Sequence, residues 1–252
     1  MKKRLLCFTM LLTVTISAIT FTNNVKAATK WNTNKSVTKE ENGIKYSAYL
    51  TEDGKESWIY QIKLSKKITK LTLPKEINQA KLTRVGFGKE LYNKGEDEDA
   101  YQNLFGDTIE PWHNCYGDLS NNDKNKQTIE TVAIPGTVNQ LEIATFSGMK
   151  KLKSVVIPEQ TASVPAYTFA KCSALSKVTF SKNMNEIDGT AFVKSNQVKT
   201  FSCPKANKTF AVKKGMLTTR SGKTLVLVPN KMKKLTIPSS VKEIKANALN
   251  GS

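Results

Sequence analysis

Apolar residues recur at a constant interval of 23 positions through the middle of the chain, over 129–198. The interval separates Pro135 from Pro158 and is kept at Ser181 and Pro204. Five apolar columns keep the same interval: Val132, Val155, Val178 and Phe201; Ile134, Ile157, Phe180 and Cys203; Leu141, Val164 and Ile187; Phe146, Phe169 and Phe192; and Leu152, Leu175 and Val198. A fixed period of this kind indicates small units that bury their core only by stacking on one another. The sequence therefore predicts a repeat solenoid.

Each unit begins with a short predicted strand. Its last two apolar residues are two positions apart and so point to one face, and the proline that follows ends the strand because it has no N–H to donate. A second short apolar pair comes next, such as Val138 and Leu141, and then a segment such as 189–192 that carries a phenylalanine. That segment is too short for an independent helix, so we predict one or two helical turns or a 3-10 piece. The expected fold is mainly β.

Copies of the strand template lie on both sides of the regular centre, at 68–74 and 232–238. Two segments break the period: 88–127, and a stretch in which two apolar runs flank 220–223 and predict a hairpin. Near the N-terminus, two alternating runs surround Asp53-Gly54 and predict another hairpin, which would cap the first repeat.

The first 27 residues have the pattern of a secretory signal. Lys2, Lys3 and Arg4 precede an apolar run, and Val25-Lys26-Ala27 predicts cleavage after Ala27. An uncleaved membrane anchor is the alternative, but the run is short for a span and no second hydrophobic segment follows. We expect a secreted or cell-surface protein with no transmembrane segment in the mature chain.

The predicted organisation is one repeat domain, 44–252, preceded by a cleaved signal peptide and a flexible leader. Its parts are a signal peptide (1–27), a flexible leader (28–43), an N-terminal hairpin cap (44–67), a first repeat (68–87), an insertion (88–127), regular repeats (128–206), an inserted hairpin (207–231) and a last repeat (232–252).

Charge narrows the set of partners. Lys and Arg number 39 against 21 Asp and Glu, a net charge of +18, and loss of residues 1–27 leaves +14. A basic exported protein meets anionic wall polymers and acidic glycans, although a Lys-rich solvated surface is the simpler alternative. Lysine greatly outnumbers arginine, whose planar fork suits phosphate, so the composition does not favour nucleic acid as a partner.

Three cysteines remain after cleavage: Cys115, Cys172 and Cys203. An odd number excludes a fully paired framework. Because Cys203 belongs to an apolar column, we predict buried thiols at Cys172 and Cys203, with a disulfide between them as the alternative in an exported protein.

Catalytic and metal-ligating patterns are weak. His113 is the single histidine, whereas a zinc site needs about four ligands. The acidic run 96–99 lacks the alternating spacing of a calcium loop. We predict no metal, no cofactor and no enzymatic activity. The alternative is an exported hydrolase within 88–127 that uses the acids 96–99, Asp107 or Glu110 with His113.

The motifs resemble the BspA-like, or treponemal-type, leucine-rich repeats. Their unit is similar to 152–172 here, and 189–192, 237–244 and the hairpin 215–225 also resemble that family. The resemblance implies a leucine-rich-repeat horseshoe or right-handed solenoid. It also implies an exported bacterial surface protein of a kind implicated in adhesion to host matrix proteins or other cells, and it assigns no catalytic residue.

Outward positions of the strands form the predicted binding face, because solenoids commonly bind partners on their extended sheet surface. The residues are Lys70, Thr72, Thr131, Ser154, Val156, Lys177, Thr179, Thr200, Ser202, Lys234 and Thr236. We expect a protein or glycan partner, such as host matrix or an anionic wall polymer. A purely structural spacer within a longer surface protein is the remaining alternative.

Overall fold

A computed structural model describes residues 29–88, 101–102, 108–109 and 125–249. The described chain forms a mainly-β solenoid of about seven turns with almost no helix, so the predicted fold class is confirmed. The predicted signal peptide and most of the insertion lie outside the described residues. The strands are β1 (Val37–Glu41), β2 (Ile44–Leu50), β3 (Glu56–Leu64), β4 (Lys70–Thr72), β5 (Glu76–Ile77), β6 (Ala80–Val85), β7 (Tyr101–Gln102), β8 (Thr108–Ile109), β9 (Thr131–Ala133), β10 (Gln140–Leu141), β11 (Ser154–Val156), β12 (Ser163–Val164), β13 (Lys177–Thr179), β14 (Glu186–Ile187), β15 (Thr200–Ser202), β16 (Phe210–Lys213), β17 (Met216–Thr219), β18 (Thr224–Leu227) and β19 (Glu243–Ile244).

The solenoid is built on a five-stranded parallel sheet, here called the main sheet, in the order β15-β13-β11-β9-β4. Each strand has three residues, and the middle one points into the core: Leu71, Val155, Val178 and Phe201 are buried, and Val132 is partly buried. The flanking residues therefore point outward. A second, shorter series of parallel pairs joins β6 to β10 and β12 to β14.

The solenoid continues across the insertion. Strand β4 pairs with β9 and β6 pairs with β10, although their sequence positions lie on opposite sides of 88–127. Within the insertion, β7 and β8 form a two-stranded antiparallel pair.

A buried ion pair links the turns on either side of the insertion. Arg84 Nε donates to Glu142 Oε1 at 2.7 Å, and the guanidinium carbon lies 3.7 Å from the ring centroid of buried Trp58. Gly86 follows with φ +115°, where a Cβ would collide with the Thr145 hydroxyl, so only glycine fits this approach. The contacts fix the register between the N-terminal sheet and the regular repeats.

The N-terminal cap is larger than we predicted. The hairpin β2–β3 is confirmed, but β1 pairs antiparallel with β2 inside the segment we predicted to be a flexible leader, 28–43. Val37 packs against the core and pairs with Ala48. Because Val37 is the only apolar residue in β1, the segment lacked the alternation that predicts a strand.

The phenylalanine segments are turns, and the prediction of short helical pieces there is wrong. Alternate N–H groups in these segments donate to the next repeat: Phe169 N to Ala191 O at 2.8 Å, and Lys171 N to Val193 O at 3.0 Å. The N–H between them, on Ala170, donates back to Tyr167 O at 2.9 Å, so no continuous helical series of hydrogen bonds forms. Lys171 also has φ +56°, which a right-handed helix excludes. Within the described residues, helical geometry is confined to a 3-10 turn at Lys126–Thr128.

Stacked aromatic rings fill the core behind these turns. Phe146, Phe169 and Phe192 are buried, and successive ring centroids lie 5.5 Å apart with nearly parallel planes. The column that the 23-residue interval predicted is therefore a continuous stack.

The C-terminal region confirms the inserted hairpin as β17–β18, with β16 added on one side and β19 on the other. The last copy of the strand template does not form a strand, which corrects the prediction for 232–238. Leu235 and Ile237 remain 41% and 39% exposed, so nothing described covers them as the regular turns cover one another. A three-residue strand needs that cover, since it gains little on its own.

Candidate binding face

Two continuous rows of side chains cover the outer surface of the main sheet. The first row pairs Lys70 with Thr131, Thr131 with Ser154, Ser154 with Lys177 and Lys177 with Thr200. The second row contains Thr72, Ala133, Val156, Thr179 and Ser202. Neighbours in a row are about 4.8 Å apart, the spacing of hydrogen-bonded strands.

Nine of the eleven predicted site residues lie in these rows. Lys234 and Thr236 do not, because their segment forms no strand. Ala133 completes the second row between Thr72 and Val156.

An apolar groove, here called the groove, runs beside the second row across four successive repeats. Its volume is about 680 Å³. The lining residues are Val132, Ala133, Ile134, Gly136, Val156, Ile157, Pro158, Glu159, Thr179, Phe180, Ser181, Lys182, Pro204 and Ala206. Most of this lining is aliphatic, aromatic or proline, which is typical of a surface that binds an apolar group.

Val156 stands at the centre of the groove and is 61% exposed. The other large hydrophobic residues that are exposed in the described chain lie in the last repeat, at Leu235, Ile237, Ile244 and Leu249. Three other positions of this row carry a polar residue, at Thr72, Thr179 and Ser202. Packing of the core therefore does not require an apolar residue at position 156.

Sequence reasoning named Val156 and Thr179 but missed the other residues that line the groove. Ile134, Phe180 and the proline column were interpreted only as core residues and strand ends. The available signal was the contrast between Val156 and the Thr and Ser residues of its row.

Positive charge surrounds the groove. Lys70 and Lys177 project from the first row, and Lys75 and Lys205 are exposed just after β4 and β15. The one acidic residue in the lining, Glu159, forms an ion pair with Lys182. The face therefore combines an apolar floor with cationic edges, which favours an anionic partner.

Both described cysteines are free thiols. Cys172 is fully buried, its Sγ lies 3.2 Å from Phe146 O, and burial raises its pKa to about 12. Cys203 is partly buried, and burial raises its pKa while nearby Arg220 acts in the opposite direction. The alternative of a Cys172–Cys203 disulfide is not what the structure shows.

The residues of the hydrolase alternative, Asp107, Glu110 and His113, lie outside the described side chains, as does the acidic run 96–99. Over 29–88 and 125–249, no cluster of three or more His, Cys, Asp or Glu side chains is placed to hold a metal ion. The same described ranges contain no helix long and apolar enough to cross a membrane.

Residues 122–214 match the family model described as the BspA type leucine rich repeat region, in six copies. The resemblance is thus confirmed, and the chain contains BspA-type leucine-rich repeats. No curated protein matches the chain significantly.

Three solved structures are similar to this chain. The leucine-rich repeat protein from Eubacterium ventriosum ATCC 27560 is 15% identical with a TM-score of 0.45, and the match covers 85% of this chain and 57% of that one. The pneumococcal vaccine antigen PcpA is 13% identical with a TM-score of 0.43, and the match covers 84% of this chain and 62% of that one. A leucine rich cell surface protein from Faecalibacterium prausnitzii A2-165 is 12% identical with a TM-score of 0.35, and the match covers 85% of this chain and 68% of that one. The matched region is therefore less than two thirds of the first two proteins.

Proposed function

We propose that this protein is an exported, surface-associated repeat protein that binds a macromolecule through the outer face of its main sheet. The observation that carries the proposal is the face itself, in which two rows of outward side chains are continuous over five strands beside an apolar groove. A purely structural spacer has no need of an exposed valine and a groove at the centre of a solvated sheet.

The construction of the sheet supports this proposal. Middle residues of the strands hold the core, so the outward residues are free to vary without loss of packing. Their chemistry is mixed, with lysine, threonine, serine, one alanine and one valine, and neither row contains an acidic residue. Such a surface attracts an acidic macromolecule and excludes a basic one.

Export rests on the N-terminal pattern of Lys2, Lys3 and Arg4, an apolar run and Ala27, together with the BspA-type repeats. Adhesion to host matrix or to an anionic wall polymer is the role that fits a basic exported binding face.

Binding of the mature chain, 28–252, to immobilised matrix proteins, anionic wall polymers and acidic glycans tests the proposal. A double variant, Lys70→Glu with Lys177→Glu, is expected to weaken binding about tenfold, because it places two acids on the first row against an anionic partner. The measurement is surface plasmon resonance at moderate salt.

The matched control is Lys45→Glu with Lys63→Glu, an exposed cross-strand pair on the N-terminal sheet that changes the net charge equally. It is expected to alter affinity less than about twofold. Equal losses in both variants would mean that net charge alone drives binding. No binding to any of the three classes would overturn the proposal.

A further inference from the structure

The groove defines the chemistry of its partner, an inference that rests on the proposed function and deepens it. We propose that the groove takes an extended acidic polypeptide segment that inserts a large apolar side chain against Val156.

The groove requires an apolar group in the partner. Its apolar lining includes exposed Val156 and the partly buried residues Ile134 and Pro204. Covering the exposed part of Val156 removes apolar surface from water, which a sugar or a phosphate polymer cannot do with comparable gain. An aliphatic or aromatic side chain of a protein can.

The backbone N–H and C=O groups of the strands at the groove are already used in hydrogen bonds between strands. Strands β9, β11 and β13 each have a neighbour on both sides, and Ile157 N donates to Thr179 O at 2.8 Å. A partner therefore cannot add a strand at the groove, and recognition there depends on side chains. We therefore expect the exposed side chain of Val156 to determine which partner residue the groove accepts.

The edges of the groove require acidic groups in the same partner. Lys177 lies on the strand next to Val156, and Lys205 lies beyond the next strand, while Glu159 is neutralised by Lys182. The groove spans four strands, or about 14 Å, which an extended chain covers with roughly four residues. One apolar residue flanked by Asp or Glu within that length fits the floor and both edges.

A random 12-residue peptide library selected on the mature chain tests this inference. We expect enriched peptides to contain a large apolar residue with acidic neighbours. The enriched peptide is then synthesised and its Kd is measured by fluorescence anisotropy at several salt concentrations.

The decisive variants are Val156→Thr and Val156→Ile. Thr179 shows that threonine fits this row, so the first variant retains the fold but places a hydroxyl in the groove, and we expect it to weaken binding about fivefold. Val156→Ile is expected to keep or improve affinity. The control Thr200→Val makes the reverse change on the first row, outside the groove, and is expected to change affinity less than about twofold.

The outcomes separate this inference from the proposed function. If no peptide is enriched, or if Val156→Thr leaves the Kd unchanged, the inference falls. If an anionic wall polymer binds in a manner that depends on Lys70 and Lys177 but not on Val156, the inference falls and the proposed function stands. If neither peptides nor polymers bind, both fall.

Discussion

Single positions of the repeat accept different residues when their chemistry is equivalent. Met149, Cys172 and Ser195 occupy one column, and the last two make the same contact to the repeat before them: Cys172 Sγ to Phe146 O at 3.2 Å, and Ser195 Oγ to Phe169 O at 2.7 Å. The interval of 26 residues is the same in both. In these two repeats the position therefore holds a small group that donates to a buried carbonyl, and Cys172 is structural rather than reactive. Met149 has no hydrogen to donate and contributes only apolar packing at its position.

We expect Cys172 to react with a neutral disulfide reagent far more slowly than Cys203 in the native protein. Burial raises the pKa of Cys172 to about 12, so almost no thiolate is present at pH 8, and the side chain is inaccessible. The measurement is mass-spectrometric counting of modified thiols in a Cys115→Ser background.

The raised pKa of Cys172 also makes the stability of the protein depend on pH. An unfolded thiol ionises near pH 8.5, whereas the folded one ionises at about 12, so the contribution of Cys172 to stability is complete below pH 8.5 and declines as the pH rises toward 12. Equal reactivity of the two thiols in the native state would show that Cys172 is not buried in solution.

Whole elements depend on a few buried polar side chains where the repeat changes direction. Asn207 is buried between the main sheet and β16. Its Nδ2 donates to Ser181 O and Met184 O at 2.9 and 2.8 Å, and its Oδ1 accepts from Thr209 N and Phe210 N at 2.9 and 2.7 Å. One amide therefore satisfies four backbone groups and starts the inserted strands.

Replacing this amide is expected to be costly. Asn207→Ala leaves these backbone groups without their partner, and we expect it to lower the free energy of unfolding by about 3 kcal/mol or more. Chemical denaturation followed by far-ultraviolet circular dichroism measures the change.

Asn183→Ala is the control, because exposed Asn183 donates a single bond, to Glu159 O at 2.9 Å. Its cost is expected to stay below about 1 kcal/mol. If both variants lose the same stability, Asn207 does not have the role that its contacts indicate.

The constant spacing of apolar residues predicted the periodic features of the fold and did not predict the features that vary between repeats. The 23-residue interval predicted the strands of the main sheet, their inward residues and the two rows of outward residues, because alternation and stacking are local rules. The groove could not be predicted in the same way. It depends on how far Ile134 and Pro158 stand from the sheet surface, which is a matter of three-dimensional packing.

The turns were mispredicted for a related reason. A segment that carries alanine and phenylalanine is compatible with a helix by itself, but alternate N–H groups, such as those of Phe169 and Lys171, donate to the neighbouring repeat and interrupt the helical pattern. Segment 232–238 matches the template in sequence, but it does not pair with β15, and Leu235 and Ile237 remain exposed.

Charge is distributed unevenly over the molecule. Residues 125–249 contain 20 Lys and Arg against 6 Asp and Glu, whereas residues 89–124 contain 3 against 9. Residues 125–249 thus carry a net charge of +14 in about half the length of the chain, a higher charge density than the +18 of all 252 residues. Association with an anionic partner is expected to be fast at low salt and to slow as salt screens the repeats.

Stability is expected to differ along the solenoid. Peptides from 232–242 should exchange their amide hydrogens early, because this segment forms no strand and leaves Leu235 and Ile237 exposed. Peptides that contain β11 and β13 should exchange last, since each of these strands has a neighbour on both sides. Hydrogen exchange with mass spectrometry checks the order, and uniform protection would contradict it.

The three-residue strands of the main sheet separate two kinds of mutational constraint. In each strand the middle residue is tied to the core, whereas the two flanking residues contact solvent or a partner, so substitutions at flanking positions are nearly independent of stability. Five strands provide ten such positions. Duplication of one repeat adds two more without disturbing the others. During evolution such a protein can therefore change the residues that contact its partner one turn at a time. A combinatorial library confined to these ten positions should consist mostly of folded members.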